Sequence, residues 1–387
     1  MITLTKDTVT TEEINNLADW LKTTPRLTKG PLTETFETEF SEWQGAKHSV
    51  MVNSGSSANL IMLYVLKCMN KMKNDKVVVP SLCWATDLAP VIQLGMTPYL
   101  CDCNLDDLSV DTAQLERLFK EESPSVLILV SVLGLSPDMD KIVSLCEKYD
   151  VILLEDVCES IGSTYKGTKL GNFGLMSSYS FFFGHHISTA EGGMVCTDDD
   201  EVHRVLTSIR SHGWNRDWDE EEKAKIEKDY NVSGLNSLYT FYYPGFNLRA
   251  TDIQAFLGIE QMKKIDSVVS KRSDNFKTYQ RLIHNPFWKA KDNDDTRVSN
   301  FAYPYIHPEK EKIIEALTKN EIEVRPLLCG SMGKQPFFVD LYGSCDFKNC
   351  DTVDQYGIYL PNHPYLTQEE IEKICDVVNT ASGENIC

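Results

Sequence analysis

The chain of 387 residues carries 57 acidic against 38 basic side chains, a formal net charge of −19, with 42% hydrophobic residues. That length supports two lobes around sizeable cores, since single cores stop growing at about 250–300 residues. The acidity argues against a nucleic-acid partner, because phosphate contacts need a basic surface, and the longest apolar run, Val126 to Leu135, is too short to span a bilayer.

Twelve cysteines are scattered along the chain with no signal peptide ahead of Met1, which gives the expectation of reduced thiols in a cytoplasmic protein. The pair Cys101 and Cys103 has no partner pair at zinc or cluster spacing, so no metal is expected.

In chain order, Thr11 to Leu21 has helical apolar spacing, Gly30-Pro31-Leu32-Thr33 breaks the chain, and Glu34 to Trp43 reads as a second helix. Strands then alternate with helices. The strands fall at 49–53, 76–80, 98–102, 125–133 and 151–155, and the helices between them at 58–72, 85–94, 112–121 and 139–149. That alternation over short loops marks an α/β sheet covered by helices. The stretch from Ser177 to Val195 reads as a hydroxyl-rich strand, a turn at Gly184, the pair His185-His186, and Gly192-Gly193 leading into another strand. Asp217 to Asp229 is charge-dense and reads as a solvated helix or insertion loop. Residues 251–282 keep one helical period throughout, and the remainder mixes short elements into a smaller lobe. The boundary is placed at 260, giving a large lobe of 1–260 and a small α+β lobe of 261–387.

Four features have chemical potential. The heptad from Asn53 to Asn59 lies between strand and helix, where it is either a plain helix cap or a phosphate cradle. Glu155-Asp156 ends a buried strand, the place where ligands gather in α/β sheets. Trp84 follows the strand ending at Pro80 and is either an aromatic plate or core packing. His185 and His186 sit on the later turn.

Cradle, plate, acid and turn together describe how a fold-type I protein holds pyridoxal phosphate, with an acid on the pyridine nitrogen keeping the ring an electron sink. The chain resembles the DegT/DnrJ/StrS family of sugar aminotransferases over nearly its whole length. The resemblance rests on GPLT at Gly30, SGSSAN at Ser54, EDVCESIGS at Glu155, EGGM at Glu191, PGFNLRATDIQA at Pro244 and VRPL at Val324. It implies a large mixed-sheet α/β domain and a smaller α+β domain. It also implies that Gly55, Ser56 and Ser180 meet the cofactor phosphate, that Trp84 stacks on the ring, and that Asp156 binds its nitrogen, with Glu159 also at the cofactor. Asn247 would reach the phosphate of a neighbouring subunit, which implies a homodimer with shared sites.

One position departs from the aminotransferases. Six residues before the acid of EGGM, where the family places lysine, this chain has His185, and imidazole cannot form an imine with the cofactor aldehyde. No lysine lies between Lys169 and Lys223. A histidine there resembles the dehydratase branch, which removes the C3 hydroxyl of a nucleotide-linked 4-keto-6-deoxy hexose. Cysteines with cluster spacing are missing after His185, and HGWNR at His212, GIEQMKKI at Gly258 and Asn362-His363 are similar to the cluster-free, colitose-type branch. The resemblance thus implies pyridoxamine phosphate as the working cofactor, L-glutamate as amino donor, and His185 as proton carrier. An aminotransferase using histidine and a non-enzymatic sugar-nucleotide sensor are the other readings. Arg216, Arg249 and Arg325 are candidate contacts for the anionic substrate, or surface ion pairs.

Overall fold

The computed structural model describes residues 1–291 and 295–383. A seven-stranded sheet forms its centre: β1 (His48–Val52), β2 (Lys76–Pro80), β3 (Thr97–Cys101), β4 (Val126–Val130), β5 (Ile152–Asp156), β6 (Met176–Ser180) and β7 (Gly193–Thr197). Their spatial order is β1-β7-β6-β5-β4-β2-β3. β6, β5, β4, β2 and β3 pair in parallel, and β7 runs antiparallel between β1 and β6. The strands are apolar on both faces because both are covered. Val77, Val79, Val126 and Ile128 enter one core, and Val78, Leu127 and Leu129 enter the other, the period of two made visible.

In the smaller sheet β8 (Ala302–Ile306), β9 (Arg325–Pro326) and β10 (Gly357–Pro361) pair antiparallel, with β10 in the centre. The first core continues without a break into Tyr303, Tyr305 and Leu360. The N-terminus also joins this sheet's surroundings, for Ile2 bridges Ile322 and its N–H donates to the Glu321 carbonyl at 2.8 Å.

The helical spacing over 251–282 holds, with one break. Two helices form, Asp252–Met262 and Ile265–Leu282, broken where Lys264 takes φ −125°. Its ammonium reaches the Thr8 carbonyl at 2.6 Å and Glu13 at 2.7 Å, so tertiary partners override the local pattern. The charge-dense segment forms the helix Glu220–Asp229, which buries none of its residues.

Two acids cap distant helices. Asp252 accepts the Gly30, Leu32 and Thr33 N–H groups and the Thr33 hydroxyl, so GPLT and ATDIQ meet as one joint at the start of helix Pro31–Gln44. Asp102, past the end of β3, accepts from Asn349 N–H at 3.0 Å and Cys350 N–H at 2.9 Å, capping the helix Lys348–Tyr356, whose own N-cap Phe347 has no acceptor. Asp102→Ala is expected to cost about 1–2 kcal/mol. Urea unfolding measures it, and an unchanged midpoint would show that the cap contributes nothing.

Candidate active site

The site grows from strand ends that share one edge of the sheet. β1 runs out to Ser54, β2 toward Trp84, β5 ends in Asp156 and β6 ends in Ser180. Ser54 caps the 14-residue helix Gly55–Cys68 by accepting the Ser57 N–H at 3.1 Å. The first N–H groups of that helix have no intrahelical acceptor, and no acidic residue lies in its first turn, so its positive end stays open to an anion.

A Cβ on Gly55 would come within 2.7 Å of Ser180 Cβ and 3.1 Å of Cys158 Sγ, which explains a glycine there and places Ser180 against the helix start. Gly193 of EGGM presses just as closely, a Cβ there lying 2.3 Å from the Ser54 carbonyl oxygen. Gly55 and Ser180 therefore meet at the helix start beside Ser56, and this capped end without an acid in its first turn would fit a phosphate.

The adjacent acids at the end of β5 separate by alternation. Glu155 faces away and accepts the N–H groups of Gly171, Phe173 and Gly174, a structural role. Asp156 faces the site, where Oδ2 accepts from Asn59 Nδ2 at 2.6 Å and Oδ1 from Cys158 N–H at 2.8 Å. Trp84 is 55% exposed, so core packing is not its role, and its N–H donates to Asp87 at 3.0 Å. Glu159 accepts from Leu133 N–H and the Tyr359 hydroxyl, both at 3.2 Å, while burial and then the charge of Asp156 push its carboxyl up to about 7.

The histidine pair also divides. His186 is fully buried, with Nε2 3.0 Å from Ser299 Oγ. His185 turns back on Phe182, its N–H donating to that carbonyl at 2.9 Å, and its ring packs 5.4 Å from the Phe301 ring with Nδ1 unpartnered. Loss of solvent pushes its pKa down to about 4, with Asp156 opposing and Arg272 assisting, so the imidazole is neutral at neutral pH. Lys169 is held elsewhere, its ammonium 3.9 Å over the Trp43 ring.

Beside the cradle lies a cleft of about 550 Å³ lined by Arg26, Lys29, Trp214, Arg216 and Arg249 together with Glu34 and Asp217. The two adjoin because Arg249 bridges Val52 at the end of β1. Arg216 stacks 3.8 Å over Trp214 and donates to the Leu238 carbonyl, while Lys29 is taken by Asp217 at 3.3 Å. Arg325 stands apart on β9, opposite Tyr359 and 3.7 Å from Glu323. Asn247 is exposed, bridging Ser211 at the cleft. The sequence reading missed Asn59, Asp87, Tyr359 and Arg272. Asn59, four residues after Gly55, and Asp87, three after Trp84, had helical spacing to reveal them.

The sequence profile of the DegT/DnrJ/EryC1/StrS aminotransferase family matches residues 8–379. A GDP-4-keto-6-deoxy-D-mannose 3-dehydratase of Yersinia pseudotuberculosis is 32% identical, with 91% of each chain covered. The crystal structure of a GDP-4-keto-6-deoxymannose-3-dehydratase with a trapped PLP–glutamate geminal diamine superposes at TM-score 0.89 and 28% identity, covering 98% of this chain and 100% of that one. The aminotransferase PseC of Helicobacter pylori superposes at TM-score 0.84 and 26% identity over 99% of both chains.

Proposed function

The chain belongs to the DegT/DnrJ/EryC1/StrS aminotransferase family, and from that premise we propose that it is a pyridoxal phosphate-dependent 3-dehydratase of a nucleotide-linked 4-keto-6-deoxy hexose, with L-glutamate as amino donor. The observation that carries this reading is His185, a neutral imidazole on the turn after β6, where the family's aminotransferases have lysine.

When bound, pyridoxamine phosphate supplies an amine for the sugar's C4 ketone and an electron sink for the charge released at C4′. The Gly55–Ser56–Ser180 cradle would hold its phosphate, Trp84 would cover a ring face, and Asp156 would meet the ring nitrogen. Glu159 stands beside Asp156 with its carboxyl near half-protonation at neutral pH, suited to share a proton with the ring's hydroxyl edge. His185 accepts the C4′ proton and returns one to the departing C3 hydroxyl, work that needs a neutral base at the start. Arg216 and Arg249 place positive charge where the substrate diphosphate would lie, within a protein whose net charge otherwise repels it.

A second copy of the chain completes the site, with Asn247 reaching its partner's cradle. The exposed Leu235, Leu238, Tyr239 and Phe241 support a covering subunit on this face. No described helix is long and apolar enough to cross a membrane, and we place the enzyme in the cytoplasm.

Product analysis tests the reading. With ¹⁵N-glutamate and a panel of GDP-, CDP-, UDP- and dTDP-linked 4-keto-6-deoxy sugars, the label is expected in free ammonia, beside a sugar that lacks its C3 oxygen. A labelled amino sugar retaining that oxygen would instead make the chain an aminotransferase.

A further inference from the structure

Asp87 lies in the first turn of helix Ala85–Gln93, three residues after the plate Trp84, and is 1% exposed. Its Oδ2 accepts the Trp84 N–H at 3.0 Å, and its Oδ1 accepts from Asn59 Nδ2 at 3.0 Å. The same amide nitrogen donates to Asp156 Oδ2 at 2.6 Å, while Asn59 Oδ1 accepts from Ser178 Oγ at 2.5 Å. One asparagine therefore spends both amide hydrogens on two buried carboxyls, and its own carbonyl is pinned so that it cannot flip. No ion pair of either acid with Lys or Arg occurs among the described residues. Cys83, Cys158 and Glu159, which face the pair, bring no positive charge.

We propose that Asp87 is a positioning residue that acts through Asp156, its carboxyl donating a hydrogen bond that holds Asp156 aimed at the ring nitrogen of the cofactor. Two like charges around one amide are unfavourable in so dry a place, and one of the two acids must hold a proton. Burial first, then the charge of Asp156, raises Asp87 well above the ordinary carboxylate range, so the proton belongs to Asp87. The same carboxyl fixes the backbone of Trp84, so a single residue aligns the acid under the ring edge with the plate over its face. The inference rests on the assignment of Asp156 to the ring nitrogen.

The test reconstitutes the full chain and its variants with ¹⁵N-labelled pyridoxal phosphate at one neutral pH, reading the ring-nitrogen resonance and the cofactor Kd. Asn is a permanent donor, so Asp87→Asn is expected to keep the pyridinium resonance with Kd within about threefold, whereas Asp87→Leu shifts to the neutral pyridine resonance and weakens binding about tenfold or more. Should leucine not fold, Asp87→Ala is read in its place with the same expectation. A leucine or alanine variant that keeps resonance and affinity overturns the proposal, and so does an asparagine variant that loses them. Wild-type protein that binds no cofactor overturns the functional reading itself, and this inference with it.

Discussion

Asparagine in place of His185 lowers dehydration by about 10²–10⁴-fold, the share that a positioned proton carrier contributes. Asparagine fills nearly the same space but neither takes up nor gives up a proton at working pH. Trp84, Asp156 and Ser180 are untouched, so cofactor affinity, read by absorbance, stays within about threefold while kcat falls. The pH profile separates this role from a merely structural one. Burial lowers the His185 pKa from 6.5 to about 4, so the basic form is present above that value and is lost as pH falls through it. The acid limb of kcat/KM assigned to His185 therefore lies near pH 4, not near 6.5. The same shift has a stability cost with a fixed sign. Between pH 6.5 and 4 the unfolded chain binds a proton that the folded chain refuses, so stability declines as pH falls across that window. An acid limb near 6.5, or an asparagine variant of nearly full activity, would remove His185 from the proton path.

The large sheet was legible because its evidence is local. A run such as Val126–Val130 is apolar at every position, and only a strand covered on both faces buries all of it. The placement of Ser54, Trp84, Asp156 and His185 just past strand ends was also legible, since each follows a strand that declares itself. Which acid of Glu155-Asp156 serves the site was not, because the answer depends on the loop 171–174 that occupies Glu155. The kink at Lys264 escaped for the same reason, its partners Thr8 and Glu13 lying some two hundred and fifty residues away in sequence.

Motifs that resembled chemistry divided likewise into site and scaffold. Asp252 of ATDIQ turned out to cap the helix that GPLT opens, and EGGM supplies close backbone approach rather than a reacting group. HGWNR contributes Arg216 stacked on Trp214 at the cationic cleft. Arg325 shows the limit of reasoning by charge alone: three arginines were candidates for one anion, and the fold brings only two of them to one cleft.

Loss of Arg272 is expected to be strongly destabilising. Its side chain is 1% exposed, and no carboxylate pairs with it among the described residues. The guanidinium instead donates to four carbonyls: Phe301 and His185 at 2.9 Å, Asn300 at 3.4 Å, and Asn362. Burial brings its pKa down to about 9, which still leaves it charged at neutral pH. The five donors of a planar fork suit such a divided task, and a lysine could not reproduce it. Arg272→Met keeps much of the volume but strands buried acceptors at about 1–3 kcal/mol each, so even with relaxation the loss reaches about 3 kcal/mol or more. Chemical unfolding measures that figure. The four carbonyls also say what the arginine does for function, because it ties the His185 turn beside the large sheet to Phe301 and Asn362 beside the smaller one. Under conditions where the variant remains folded, kcat is therefore expected to fall with cofactor affinity little changed, and Arg272→Lys to recover only part of either loss. A methionine variant with wild-type stability and turnover would show that the turn is held by its own backbone bonds, Phe182 to His185 and Phe181 to Thr189, without help from Arg272.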